Sequence, residues 1–181
     1  MTAYLRIISD IRPQSDWCEE LEFMNPEDKT DILFIDDKLQ TAEGDLPLLP
    51  GVSRAEAGAL APLTLAFVGD AVYELLVRTM LVREAERRPN ELNRASSALA
   101  RAKAQSEAME AVEPCLTKEE DDVYRRGRNA KSHTMAKNAT VADYRRATGF
   151  EALVGYLYLS GQMKRLVEIV RIGITYEREK E

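Results

Sequence analysis

The chain has 181 residues, 45% of them hydrophobic, with two cysteines and a single histidine, His133. That length supports one domain with a sizeable core. The lack of a Cys/His cluster argues against zinc, and no run of about 18 apolar residues is present to cross a membrane. The net charge of −6 hides an asymmetry: residues 1–50 hold 12 acids against 4 basic residues, whereas residues 51–181 hold 19 acids against 21. The acidity therefore belongs to the first segment and says little about partners of the larger one.

Residues 1–50 show no sustained hydrophobic period and are expected to form an acidic, poorly structured extension. Thr30-Asp-Ile-Leu-Phe-Ile-Asp36 has the pattern of one short strand without an evident partner. The first residues have too short an apolar core for a signal peptide, and Cys18 and Cys115 stand far apart in different segments. A reducing, cytoplasmic setting without a disulfide framework is the resulting expectation. Leu46-Pro-Leu-Leu-Pro-Gly51 is rich in breakers and marks the boundary between the extension, 1–50, and a main domain, 51–181.

From residue 52 the pattern is helical, and the main domain reads as all-α with about six helices. Ser53 and Glu56 form a capping-box signature for a short helix ending near residue 60. Pro62 suits the first turn of a second helix reaching about residue 86. A long or broken amphipathic stretch follows from Asn90 to Val112, ended by Pro114. Thr117, with Glu120 three residues on, caps a fourth helix, which decays into a basic run and a polar loop over 129–140. A fifth helix covers about 141–159 and is broken by Gly161. A sixth carries Leu166, Val167, Ile169, Val170 and Ile172 toward a frayed, charged tail from Tyr176.

Two of these helices break the same rule. The second is apolar on nearly every face, which predicts burial, yet Gly69-Asp70 stands in its middle. The fifth repeats the arrangement with Gly149 and Glu151. A buried carboxylate needs a partner or a metal, so the two acids together suggest a shared cation site, with the glycines allowing close backbone approach beside them. Magnesium is held in this way, by one or two carboxylates with waters and phosphate oxygens. Glu74 lies one turn beyond Asp70 on the same side, and Arg78 one turn further as its i,i+4 ion partner.

Residues 125–146 contain seven basic side chains against one acid, Asp143. Arg125, Arg126, Arg128, Lys131 and Lys137, with the short polar Asn129 and Ser132 among them, combine cations with hydrogen-bonding groups as a phosphate backbone requires. Tyr144 is the lone aromatic there, so backbone contact with a duplex is favoured over stacking on single-stranded bases.

The segments Phe67-Val-Gly-Asp-Ala-Val72 and Phe150-Glu-Ala-Leu-Val-Gly-Tyr-Leu-Tyr158 resemble the ribonuclease III catalytic domain. Ala102-Lys-Ala-Gln-Ser106, Arg126-Gly-Arg-Asn-Ala-Lys131 and Tyr144-Arg-Arg-Ala-Thr-Gly149 narrow the resemblance to its Mini-III branch, which lacks a separate RNA-binding domain. The resemblance covers about residues 52–173. It implies an all-α endonuclease, dimeric with itself, that hydrolyses double-stranded RNA with Mg2+ (Mn2+ as substitute) and leaves 5′-phosphate and 3′-hydroxyl ends. It also implies precursor large-subunit ribosomal RNA as substrate, Asp70 and Glu151 as the catalytic metal ligands, and Glu74, Arg78 and Lys103 as support. Ala66 and Thr148 depart from the larger enzymes, which carry Glu and Asp at these places, and thereby favour the Mini-III branch. Asn93 stands where that branch is expected to have histidine. Two other readings are a non-catalytic duplex-RNA-binding module on the same fold and a helical interaction protein whose acidic arm recruits a partner.

Overall fold

Seven α-helices and one 3₁₀ turn build the residues that the computed structural model describes, 52–131 and 140–179. In chain order they are α1 (Arg54–Ala59), α2 (Pro62–Glu84), α3 (Pro89–Leu99), α4 (Ala102–Val112), the 3₁₀ turn (Glu113–Cys115), α5 (Lys118–Asn129), α6 (Val141–Leu159) and α7 (Met163–Glu179). No strand occurs among the described residues, as the helical periodicity requires. The expected extension over residues 1–50, with its short strand and Cys18, lies outside them, as do Ser132 and Lys137.

Local signals set most boundaries. Ser53 Oγ accepts from the Glu56 N–H at 3.2 Å while Glu56 Oε2 accepts from the Ser53 N–H at 2.9 Å. Thr117 and Glu120 close the same reciprocal pair at 3.3 and 2.8 Å, so two orphan donors are satisfied at each start. Pro62 opens α2, and Gly161, at φ 71°, takes the left-handed turn after α6. Tertiary contacts override the sequence pattern elsewhere. The stretch from 90 to 112 is broken at Ala100–Arg101, and the Tyr73 hydroxyl of α2 donates to the Leu99 carbonyl at 3.3 Å. Helix α5 continues through Asn129, so Arg125, Arg126 and Arg128 lie on its last turns, where cations suit the helix dipole, and not in a loop. Helix α7 runs on to Glu179 instead of fraying, held to α4 by the Tyr176 hydroxyl donating to Glu110 at 2.8 Å.

Helix α6 is the axis of the domain. Between Ala147 and Leu157 every residue is buried except Glu151, which is half-buried. Helices α2, α4, α5 and α7 pack around it. Tyr73 of α2 meets Phe150 edge to face at 5.2 Å. The nearly buried Glu120 carboxylate accepts from Arg165 Nε at 2.8 Å, tying the start of α7 to the start of α5. Helix α2 departs from expectation. It buries one side through Leu65, Val72, Tyr73, Val77 and Leu81, but Phe67 is 81% exposed and Leu75 65%, with Leu63 and Val82 also in solvent. Its apolar residues run all round because two different faces carry apolar side chains, only one of which is buried among the described residues.

Glycines set the spacing of the two helices. A Cβ on Gly69 would stand 1.8 Å from the Glu151 carbonyl oxygen, and one on Gly155 would stand 2.0 Å from that of Leu65. The backbones of α2 and α6 are therefore in contact. Gly149 serves another crossing, against the Tyr124 ring of α5, where an added Cβ would meet it at 2.7 Å. The partner of Gly69 is thus Gly155 and not Gly149.

Gly69→Ala should abolish cooperative folding or lower the thermal midpoint by more than 15 °C, on the order of the ~3 kcal/mol or more that overpacking against rigid backbone costs. Gly58→Ala, in a helix with nothing within 4 Å of the new Cβ, should gain up to about 1 kcal/mol. Thermal unfolding of both variants beside the wild type checks the pair.

Candidate active site

The α2–α6 crossing determines where the two acids stand. Asp70 follows the contact glycine Gly69, and Glu151 carries the carbonyl against which Gly69 is seated. Each carboxyl senses its surroundings. Burial, and then the charge of Asp70, push Glu151 up to about 8, offset in part by the amide of Gln105 beside it. Asp70, which the sequence predicts to be buried, lies exposed at the edge of the crossing; its partial desolvation, and then the charge of Glu74, raise it. Two carboxyls held where each resists ionisation form a site that a cation stabilises.

The other donors were tested by their partners. Glu74 pairs with Arg78 across one exposed turn, the plain i,i+4 pair, and acts on Asp70 only through its charge. Lys103 points to solvent, 3.8 Å from Glu107 and 74% exposed, so it does not join the acids. Ala66 is buried one turn before Asp70. Thr148 is buried as well, and its hydroxyl donates to the Tyr144 carbonyl of its own helix at 2.9 Å. Neither position offers a ligand. No group of three His, Cys, Asp or Glu side chains converges among the described residues. The oxygen set at the crossing thus fits a hard cation that keeps most of its waters, and does not fit one needing a full protein cage. Asn93 is exposed on α3, away from the core.

Gln105 is the residue that sequence reasoning missed. It is 1% exposed, and neither amide atom has a hydrogen-bond partner. The signal was present: Gln105 shares a helical face with Met109 and Val112, both fully buried, so a polar residue sits in a core register.

Among the described residues, Arg125, Arg126 and Arg128 do not share one face. Arg125 Nε donates to Asp121 at 3.0 Å. Arg126 faces a surface cleft with Lys118, Glu119, Asp122 and Tyr156. Arg128 lies over the Tyr124 ring, 5.8 Å from its centroid, and Arg146 of α6 adjoins the same tyrosine. Arg128 and Arg146 are thereby drawn together near the ends of α5 and α6, with Asn129 and the exposed Lys131 following.

The fold is an all-α domain with two electrostatically linked acids at its central helix crossing. The Ribonuclease III domain model matches residues 63–162; the chain belongs to that family and is an endoribonuclease. Among its relatives are Mini-ribonuclease 3 of Enterococcus faecalis, 49% identical over 123 residues, and Mini-ribonuclease 3 of Symbiobacterium thermophilum, 50% identical over 117. The matches cover 64% and 65% of this chain and 93% and 90% of those proteins. The crystal structure of a Fusobacterium nucleatum protein superposes with a TM-score of 0.59 at 32% identity, covering 66% of this chain and 95% of that one.

The raised acid at 151 has a consequence for stability. Its folded form holds a proton through a range in which the unfolded chain has lost it, so without a divalent cation the native state loses stability as pH rises from the usual carboxylate range to about 8, and no further above that. Glu151→Gln removes this loss. The variant should be more stable than the wild type at pH 8, by up to about 4 kcal/mol for a carboxyl moved from 4.5 to about 8, and indistinguishable from it near pH 4.5. Urea unfolding across that range, in EDTA, measures the difference; a gap that does not grow with pH refutes it.

Proposed function

We propose that the protein is a magnesium-dependent endonuclease of double-stranded RNA that works as a homodimer in the cytoplasm, in the maturation of precursor large-subunit ribosomal RNA. The observation that carries this reading is the pairing of Asp70 and Glu151 across the α2–α6 crossing of a ribonuclease III family chain. In it, residues 51–181 are the catalytic domain and residues 1–50 an acidic extension. Mn2+ replaces Mg2+ in the same oxygen set.

Asp70 and Glu151 would hold the cation, which would supply Lewis acidity toward the phosphodiester and lower the pKa of a water. Hydrolysis with water as nucleophile then leaves a 5′-phosphate and a 3′-hydroxyl. Glu151 keeps its proton while the site is metal-free, so its full negative charge develops only as the cation binds. Arg128, Asn129 and Lys131, with Ser132 and Lys137 beyond the described residues, take the phosphate backbone. Arg125 and Arg126 join them from other sides of α5. The Arg125–Asp121 pair is a surface pair worth under about 1 kcal/mol, which a phosphate can displace.

A duplex has two strands, and one site cuts one strand. A two-fold dimer presents two equivalent sites. The exposed apolar side chains Leu63, Phe67, Leu75 and Val82 along α2, with the Glu74–Arg78 ion pair among them, support that arrangement.

Asp70→Asn and Glu151→Gln should each lower cleavage of a model RNA duplex in Mg2+ by roughly 10²-fold or more, on the order of the loss of a transition-state charge stabiliser. A single-turnover gel assay measures it, and full activity in either variant removes the mechanism. Phe67→Asp should convert the dimer to a monomer by light scattering and reduce duplex cleavage with it. A variant that stays dimeric would place the interface elsewhere.

A further inference from the structure

Helix α4 presents Gln105, Met109 and Val112 to the core, the latter two fully buried. At 1% exposure Gln105 is as enclosed as its apolar neighbours, but both ends of its amide lack a partner. Buried amides are almost always hydrogen-bonded, and an unmade pair destabilises the fold. Leucine or methionine at the same place would fill the volume without that penalty. The polar group the amide senses is the Glu151 carboxyl, whose ionised form it favours against the effect of burial. The flanking polar residues of α4 face elsewhere: Lys103 is in solvent with Glu107, and Ser106 turns to Asp143.

We infer that Gln105 is a positioning residue of the active site, an amide held in the core to orient the Glu151 carboxylate and a water beside it. An amide is suited to this because it donates and accepts at once. Its Nε2 donates to an ionised carboxylate, fixing which oxygens remain for a cation, while its Oε1 accepts from a water of the site. Lysine would add a charge that repels the cation, and a third carboxylate would deepen the repulsion already felt between Asp70 and Glu151. The outer partners of metal ligands act in this way, setting ligand orientation and hence affinity. The inference rests on the proposed function, since it assigns Gln105 to the same site.

The test uses the full chain with Gln105→Leu and Gln105→Met, two apolar replacements of different shape. Four quantities are read: the thermal midpoint, Mn2+ affinity of RNA-free protein by titration calorimetry, and kcat and KM on a model RNA duplex. The expected result is a midpoint equal to or above the wild type's. With it go Mn2+ binding weakened 10-fold or more and a kcat lowered at least 10-fold, with KM for the duplex unchanged. Wild-type Mn2+ affinity and kcat in both variants overturn the role of Gln105 and leave the proposed function standing. A lowered midpoint with unchanged Mn2+ affinity also overturns it, because that is the signature of core packing alone. Wild-type protein that neither binds Mn2+ nor cleaves the duplex overturns both readings.

Discussion

Where α2 crosses α6 there is no room for a side chain between the two backbones. Gly69 rests against the Glu151 carbonyl and Gly155 against that of Leu65. Contact this close fixes the helices along their axes as well as apart, because sliding either by one residue would put a Cβ into a carbonyl oxygen. The residues flanking the contact inherit that precision. Asp70 follows Gly69 and Glu151 bears the contacted carbonyl, so the backbone positions from which the two carboxyls project are set by the helix contact and not by loops. A site built on rigid elements in this way is pre-organised for its ligand.

The same closeness has an electrostatic consequence. In a metal-free protein the carboxyl of Glu151 is held protonated near neutrality by burial and by Asp70. A cation binding there must displace that proton, so affinity rises with pH until Glu151 is ionised. The fold thus carries a local instability at its centre that a bound cation relieves. The unpartnered amide of Gln105 belongs to the same region. Functional sites are where a chain tolerates groups that packing alone would reject.

Most of the helical plan was legible because its signals are local. The Ser53–Glu56 and Thr117–Glu120 boxes, Pro62 and Gly161 act within one turn, and the elements begin and end where they say. The two acids were legible for a related reason: each is the odd residue in an apolar run. What the sequence could not give depends on neighbours distant in the chain. The break at Ala100, the extension of α7 past Tyr176 and the pairing of Gly69 with Gly155 are tertiary facts. The basic run shows the difference most clearly. Seven cations within 22 positions look like one patch on paper, but a helix turns each by about 100°, and Arg125, Arg126 and Arg128 end with three different partners. Gln105 lay in plain view, and a stricter use of register, asking why a polar residue shares the face of Met109 and Val112, would have found it.

The second face of α2 joins the site to the proposed assembly. Counting about 100° per residue, Leu63, Glu74, Phe67, Arg78, Ala71, Val82 and Leu75 fall in sequence across the face turned away from α6. Asp70 falls at its edge, beside Leu63 and Glu74. One helix therefore separates the core from the exposed apolar side chains, with Asp70, the proposed metal ligand, on the border. In the proposed dimer a second copy seats on Phe67 and Leu75, which are 81% and 65% exposed, next to the edge on which Asp70 falls. Its presence would take solvent from the Asp70 side of the pair and strengthen every charge interaction there. In the proposed dimer, assembly and metal binding then reinforce each other through the same 23-residue helix. This gives a physical reason for an enzyme with only two acids per site to keep an apolar face in solvent when it is alone.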